Sequence, residues 1–264
     1  MSRARNLGST GKPSGSADSA GQPWAGRQFT PNPHSNDDGS APEQLLEALL
    51  RFHAREAGEE SVIDAIRGSR LLIPLVTNLG HSSTNEEGLT IDKSQELSII
   101  TVAGPDGRNV MPAFSSAAAM ASWNPNARPV PADAIRVALA AAKENTDLVV
   151  LDATAPSEFV IRRPALWAIA QSTPWTPSYA SRQVAEAFTA SIATELSVLT
   201  VELAAGDPDA RLAGPELTVR LELVAGLTRT EVDATLARLA KRWSVSDVIA
   251  TGVDSLRVQL VASG

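Results

Sequence analysis

The sequence predicts an α+β protein, with a mixed or antiparallel sheet and flanking helices in an N-terminal domain and a smaller C-terminal ββαβ domain. Two patterns predict this class. Over residues 43–175, short apolar runs bounded by turn residues alternate with segments of helical periodicity. After residue 177 the order becomes helix, strand, strand, helix, strand. The 264 residues, 43% of them hydrophobic, can form one large core or two modest ones.

The chain is predicted to have three parts. Residues 1–40 are dominated by Gly, Ser, Pro and Thr and contain few aliphatic side chains, so burial could not offset the entropy lost on ordering them. We therefore expect a disordered tail there. Residues 41–176 are predicted to form the N-terminal domain, and residues 177–264 a helix followed by the C-terminal domain.

One stretch of the tail differs in composition from the rest. Trp24, Arg27 and Phe29 lie close together in an otherwise polar segment. Two interpretations stay open: these side chains latch onto the protein's own domain, or they form a short linear motif that binds a partner. The first interpretation is favoured.

The N-terminal domain is predicted to begin with a helix after Pro42. Pro and Glu suit the first turn, where free amide groups favour negative charge, and the apolar residues that follow recur at helical spacing. These residues are Leu45, Leu46, Leu49, Leu50 and Phe52. A helix over about 61–66 and a strand over 71–76 come next. Pro74 places that strand at an edge or an irregular end, because proline lacks the amide donor.

The middle of this domain is predicted to contain two strand pairs. The Gly-Pro-Asp-Gly sequence at 104–107 joins apolar runs over 97–102 and 109–114, as a hairpin connection requires. The second pair comprises 148–151 and 159–161. Helices are predicted from Ser115 or Ser116 to Trp123, from the end of a Pro-rich link over 124–131 to about Asn145, and from Arg162-Arg163-Pro164 onward.

The C-terminal domain is predicted from alternating apolar and polar residues. Strands over 196–203, 217–224 and 256–261 show this alternation, and a helix over about 228–242 has apolar residues on one face. The pattern favours a small antiparallel sheet covered by a helix on one face.

Composition argues against several kinds of function. A net charge of −7 and a pI near 5.1 disfavour nucleic-acid and membrane partners, which require clustered Lys and Arg. The absence of cysteine removes disulfides and thiolate chemistry and agrees with a cytoplasmic location. The three histidines lack the spacing of a helical metal-binding pair, and no apolar stretch is long enough to span a membrane. We therefore expect no metal and no cofactor.

Enzyme signatures are also missing from the sequence. It contains no phosphate loop preceded by a strand, no Gly-x-Gly-x-x-Gly and no Gly-x-Ser-x-Gly elbow. Asp152 and Glu158 flank a turn between two predicted strands and could converge as an acid–base pair. The structural interpretation is favoured, because an Asp that follows a strand commonly binds turn amides. We assign no catalytic residue and do not predict an enzyme.

Aromatic and arginine side chains provide the best candidate surface. Guanidinium and indole groups often anchor recognition surfaces. The candidate residues are Phe114, Trp123, Arg162, Arg163 and Trp167. The alternative interpretation is that the tryptophans close the core and the arginines bind carboxylates.

Several of these segments together resemble the SseB family, in particular its actinobacterial members. The resemblance is carried by Met-Pro-Ala-Phe-Ser-Ser at 111–116, by Trp123, by residues 147–152 and by Phe-Val-Ile-Arg-Arg-Pro-Ala-Leu-Trp at 159–167. Val-Asp-Ser-Leu at 253–256 is similar to the smaller C-terminal domain of such proteins. The resemblance implies an α+β domain and carries over no activity, cofactor or catalytic residue.

Two functional hypotheses follow. The leading hypothesis is a cytoplasmic, non-catalytic interaction or adaptor protein that binds a protein partner through the candidate surface, with homo-oligomers left open. The alternative is a sensor of a small, amino-acid-like metabolite, or an unrecognised enzyme. Its pocket would lie between the two domains and be lined by Asp152, Glu158 and Arg162.

Overall fold

The structure is a computed structural model that describes residues 36–76, 83–84, 90–91, 101–104, 106–143, 146 and 148–262. Helices and strands are interspersed throughout these residues, which confirms the predicted α+β class. The predicted tail motif of Trp24, Arg27 and Phe29 lies outside the described residues. Residues 37–264 form one compact unit.

The helices are α1 (Glu43–His53), α2 (Glu59–Arg67), α3 (Ala117–Trp123), α4 (Ala134–Lys143), α5 (Arg163–Gln171), α6 (Arg182–Ile192), α7 (Arg229–Ser244) and α8 (Asp247–Gly252). The strands are β1 (Arg70–Leu75), β2 (Ser83–Thr84), β3 (Thr90–Ile91), β4 (Val102–Ala103), β5 (Asn109–Ala113), β6 (Arg128–Asp133), β7 (Leu148–Leu151), β8 (Phe159–Ile161), β9 (Val198–Ala205), β10 (Leu217–Leu223) and β11 (Leu256–Ala262). None of the helices over these described residues is long and apolar enough to cross a membrane.

The main sheet of the N-terminal part has the strand order β4-β5-β7-β8. Both predicted strand pairs are present: β4 pairs antiparallel with β5, and β7 antiparallel with β8. Of the run predicted as the first strand, 97–102, residues 97–100 lie outside the described residues. At the first turn, the Gly104 N–H donates to the Arg108 carbonyl at 2.8 Å, and Gly107 has a φ of 81°, which favours glycine. Strand β5 runs parallel to β7, and every residue of β7 is buried, as expected of a central strand covered on both faces.

A second, two-stranded sheet corrects one prediction. The segment expected to be a Pro-rich link, 124–131, contains the start of β6, which pairs antiparallel with β1. Prolines at 74, 129 and 131 are tolerated because they fall at non-hydrogen-bonded positions of this pair: Leu72, opposite Pro131, directs its N–H to Phe114 and not to β6. A bridge between Leu72 and Phe114 connects β1 to the end of β5.

The N-terminal core lies on one face of the main sheet. Helices α1, α2, α4 and α5 pack there against alternate residues of the strands, including Met111, Val149 and Phe159. On the opposite face, Val110, Leu148, Val150 and Val160 contact Leu212, which lies between β9 and β10. The C-terminal part therefore covers a face of the N-terminal sheet.

The C-terminal sheet has the order β11-β10-β9 and packs against α6, α7 and α8. The predicted succession of two strands, a helix and a strand is present. The prediction that the sheet is antiparallel is wrong for its last strand: β9 and β10 are antiparallel, whereas β11 is parallel to β10. The reason is that α7 and α8 carry the chain back across the sheet, so that β11 begins at the same end as β10.

Candidate functional site

Arg162 lies at the junction between the two predicted domains. It follows the buried strand β8 and is the N-cap residue of α5, with extended backbone and Pro164 in the first turn of the helix. Its side chain is almost completely buried. A buried guanidinium is tolerated only when it is paired, so its partners define this site.

The partners of Arg162 come from the C-terminal part of the chain. Arg162 Nη2 donates to the Asp207 carboxylate at 2.7 Å and to the Gly214 carbonyl at 3.0 Å, and Nη1 donates to Asp254 at 3.2 Å. Arg108, at the β4–β5 turn, also donates to Asp254, at 2.8 Å. Two arginines of the N-terminal part thus bind two buried acids of the C-terminal part. We call Arg108, Arg162, Asp207 and Asp254 the ionic junction.

Two further acids lie beside the ionic junction and are less completely neutralised. The Glu216 carboxylate accepts the Asp254 N–H at 2.6 Å, and Glu59 accepts the Tyr179 hydroxyl at 3.1 Å. Burial raises the pKa of Glu216 and raises the pKa of Glu59 to about 7, with the charge of Glu216 adding to the effect on Glu59. Glu59 can therefore gain or lose a proton near neutral pH.

The carboxylates of Asp152 and Glu158 accept hydrogen bonds from neighbouring loop residues and do not form a pair with each other. Asp152 is completely buried with a positive φ of 51°, and its carboxylate accepts the Ser115 N–H and hydroxyl, each at 2.7 Å, and the Ser157 hydroxyl at 2.8 Å. Glu158 accepts the Thr154 N–H at 2.6 Å. These bonds agree with the structural interpretation, in which an acid after a strand satisfies neighbouring donors.

The five candidate surface residues divide into two groups. Phe114 is fully buried beside Leu72 and Met120, its ring centroid 5.3 Å from that of Trp123, and Arg162 is 4% exposed. Neither Phe114 nor Arg162 can meet a partner at the surface. The surface hypothesis can therefore apply only to Trp123, which is half-buried, and to Arg163 and Trp167.

Arg163 and Trp167 form a stacked pair on α5. The Arg163 guanidinium carbon lies 5.5 Å from the centre of the Trp167 ring, within the range of a cation–π contact. Trp167 is 39% exposed, whereas Leu166 and Ala168 on either side of it are buried. The helix therefore directs its largest side chain outward.

A cavity of about 370 Å³ lies near the start of the same helix. Its lining combines apolar side chains with uncharged polar ones and one carboxylate, supplied by α5, α6, α8 and the connection between α5 and α6. The most relevant lining residues are Pro164, Trp175, Gln183, Val184, Asp247 and Val248. This combination suits a small or peptidic group with both apolar and polar atoms.

The sequence reasoning missed most of the ionic junction. Asp207 in the junction and Glu216 beside it carry no motif, and both lie far along the chain from Arg162, so only the folded topology brings them together. Asp254 did leave a signal, because it belongs to the Val-Asp-Ser-Leu segment at 253–256 that carries the C-terminal resemblance. An acid inside a segment of family resemblance could have been proposed as a partner for a buried arginine.

These features define an α+β domain whose sheet is bound to a C-terminal part through buried arginine–carboxylate pairs. Residues 43–168, slightly less than half of the chain, match the family model described as the SseB protein N-terminal domain. The chain therefore contains an SseB-type domain over these residues, which confirms that part of the resemblance. No curated protein and no solved structure is significantly similar to the chain.

Proposed function

We propose that the chain is a cytoplasmic, non-catalytic interaction or adaptor protein whose SseB-type domain binds a protein partner through Arg163 and Trp167. The observation that carries this proposal is the exposed Trp167 ring with a guanidinium stacked on it. Trp and Arg are the residue types most enriched among the side chains that dominate protein–protein binding energy. A rigid helix is a suitable element to present them.

Stacking prepares this pair for binding. An arginine already held against an indole loses less side-chain entropy when a partner arrives. Among the residues that the structure describes, Arg163 Nε is buried without a hydrogen-bond partner, and the side chain as a whole is half-buried beside the indole. We therefore expect the partner to supply an apolar group for Trp167 and a carbonyl or carboxylate oxygen for Arg163.

The non-catalytic part of the proposal is supported by how the acids are used. Each carboxylate of the ionic junction accepts hydrogen bonds from other protein groups, and Asp152 accepts three. Groups occupied in this way hold the fold together and have little capacity left for a substrate. We propose that they have a structural role.

Affinity capture tests this proposal when it compares matched variants. Trp167→Ser removes the exposed indole, and Leu139→Ser removes a comparably exposed apolar side chain from α4. We expect a partner that is captured by the wild-type chain and by Leu139→Ser but lost with Trp167→Ser. Equal capture by both variants would contradict the assignment of this surface.

The cavity beside α5 favours one second candidate function, a sensor of a small, amino-acid-like metabolite. Its volume of about 370 Å³ falls within the range of small-ligand sites, roughly 300–1,000 Å³. Its lining differs from the Asp152, Glu158 and Arg162 of the sequence hypothesis. A metabolite that binds there should raise the melting temperature of the wild type but not of Val248→Trp, which fills the cavity. An equal rise in both proteins would place the ligand elsewhere.

A further inference from the structure

Strand β11 forms an open edge of the C-terminal sheet. The sheet order is β11-β10-β9, and no other strand of the described residues pairs with the outer side of β11. Leu260 and Val261 near its end are 46% and 43% exposed. An edge of this kind presents unpaired backbone groups beside apolar side chains, which is the arrangement that accepts another strand.

The ladder to β10 fixes which backbone groups of β11 face outward. Leu217 of β10 pairs with Leu256 of β11, and the Leu217 N–H donates to the Ser255 carbonyl at 3.0 Å. In a regular parallel ladder the bonds then alternate along the strand, so β10 uses the odd-numbered residues of β11. The N–H and C=O groups of the even-numbered residues point to the open side. These residues are Leu256, Val258, Leu260 and Ala262.

The opposite edge of the sheet is better protected. Strand β9 contains a register shift opposite Glu222 and Leu223, it is packed against α6, and it carries Glu202. Bulges and charges are the common means by which edge strands avoid pairing. In β11 the one charged residue, Arg257, lies across the sheet with its Nε donating to Thr218 at 3.0 Å.

We propose that β11 pairs antiparallel with β11 of a second copy of this chain, about a two-fold axis at Gln259. In this register, residues at equal distances before and after Gln259 lie opposite each other. Leu256 then faces Ala262 and Val258 faces Leu260, so the outward groups of each copy meet outward groups of the other. The two small sheets become one continuous sheet. The inference goes beyond the proposed function and does not depend on it.

The arrangement of charges along β11 is compatible with pairing to a second copy of the chain. In this register Arg257 faces Val261 of the other copy, whose neighbour on β10 is Glu222. The Arg257 guanidinium is directed toward Thr218 of its own β10, away from the open edge, so it does not block a second strand. No two like charges face each other directly, because the only directly opposed identical residues are the two copies of Gln259.

A single cysteine tests the register, because the chain contains no natural cysteine. In Gln259→Cys the two thiols would face each other in a non-hydrogen-bonded pair, with Cα atoms about 4.5 Å apart, which suits a disulfide. Leu199→Cys, at a 50% exposed position of β9, is the matched control. Under mild oxidation we expect a disulfide dimer from Gln259→Cys much faster than from Leu199→Cys. Equal rates would overturn the proposed pairing.

A proline tests the pairing itself. Because the Leu260 N–H faces outward, Leu260→Pro leaves the ladder to β10 intact but removes one intermolecular hydrogen bond from each copy. We expect the dimer Kd, measured by light scattering over a concentration series, to rise about tenfold or more. Leu260→Ala, which keeps the amide, should raise it less.

Two results would overturn the inference. One is a wild-type chain that stays monomeric over the whole concentration series, as expected if another protein or another segment covers this edge. The other is a dimer that persists in Leu260→Pro with an unchanged Kd, which would place the interface elsewhere. Retained thermal stability of Leu260→Pro shows that loss of the dimer is not loss of the fold.

Discussion

Glu59 is the residue whose protonation state has the clearest energetic consequence. Burial raises its pKa from an ordinary value of 4.5 to about 7. The folded state therefore binds this proton more tightly than the unfolded state does. The resulting stabilisation is fully present below about pH 4.5 and is lost as the pH rises through about 7. A difference of this size corresponds to about 3 kcal/mol in the free energy of unfolding.

We expect Glu59→Gln to abolish this pH dependence. Glutamine keeps an oxygen for the Tyr179 hydroxyl but carries no charge to desolvate. The variant should be more stable than the wild type by about 2–3 kcal/mol at pH 8.5 and nearly equal to it at pH 5. Urea unfolding at both pH values measures the difference. Glu47→Gln, at an exposed position on α1, serves as the control. If Glu59→Gln stabilises the protein no more than Glu47→Gln does at pH 8.5, the raised pKa of Glu59 does not affect stability as expected.

Residue types could be predicted from the sequence better than their environments. Asp152 was expected to satisfy turn donors, and it does so. Phe114 and Arg162 were grouped with exposed residues, although one is in the core and the other is in the ionic junction. Arginine next to a buried strand is compatible with either environment, because burial depends on partners that are distant in the sequence.

Among the elements, α7 has the most complete start signal. Thr228 and Glu231 form a capping box: the Thr228 hydroxyl accepts the Glu231 N–H, and the Glu231 carboxylate accepts the Thr228 N–H at 2.8 Å. Such reciprocal bonds satisfy two amide groups that the helix itself leaves free. The helix in turn buries Leu239 and Trp243 against the C-terminal sheet.

We expect Thr228→Ala to destabilise the protein by about 1 kcal/mol, the usual cost of a lost N-cap. The midpoint of urea unfolding should decrease, with an unchanged slope. Thr189→Ala on α6 is the control, because that exposed hydroxyl only donates to the carbonyl of Ala185, one turn earlier in the same helix. Equal effects of the two substitutions would show that the capping box contributes little.

The elements missed by the sequence reasoning share a physical cause. Strand β6 contains two prolines, and local preference alone assigns such a segment to a link. It is a strand because β1 offers it a partner. The direction of β11 could likewise not be predicted from its own residues, because alternation of apolar and polar residues predicts a strand but not whether it runs parallel or antiparallel to its neighbour. Element type followed from local pattern, whereas pairing followed from tertiary contacts.

At the scale of the whole molecule, two hydrophobic cores are joined by both apolar and ionic contacts. One core belongs to the N-terminal sheet and its helices, the other to the C-terminal sheet. They are linked by the ionic junction, by the Val160 N–H bond to the Ala210 carbonyl at 2.8 Å, and by the packing of Ala210 and Leu212 against opposite faces of the N-terminal sheet. Removing one member of a buried ion pair leaves the others uncompensated, which typically costs about 3–5 kcal/mol.

We expect Arg162→Met to lose stability by about this amount and to uncouple the two cores. Calorimetry should show one unfolding transition for the wild type and a broadened or split transition for the variant. Arg182→Met is the control, because its pair with Glu186 is exposed on α6 and should contribute less than about 1 kcal/mol. A single, sharp transition in Arg162→Met would show that the cores are coupled by other contacts.

The ionic junction also bears on how the chain is made. A ribosome synthesises Arg162 well before Asp207 and Asp254, so the nascent N-terminal portion emerges before the two carboxylates that bind this cation in the folded chain. Because an unpaired guanidinium is costly to bury, we expect it to stay hydrated until translation reaches those acids. We therefore expect a fragment cut at residue 168, which lacks both acids, to keep that charge in contact with water.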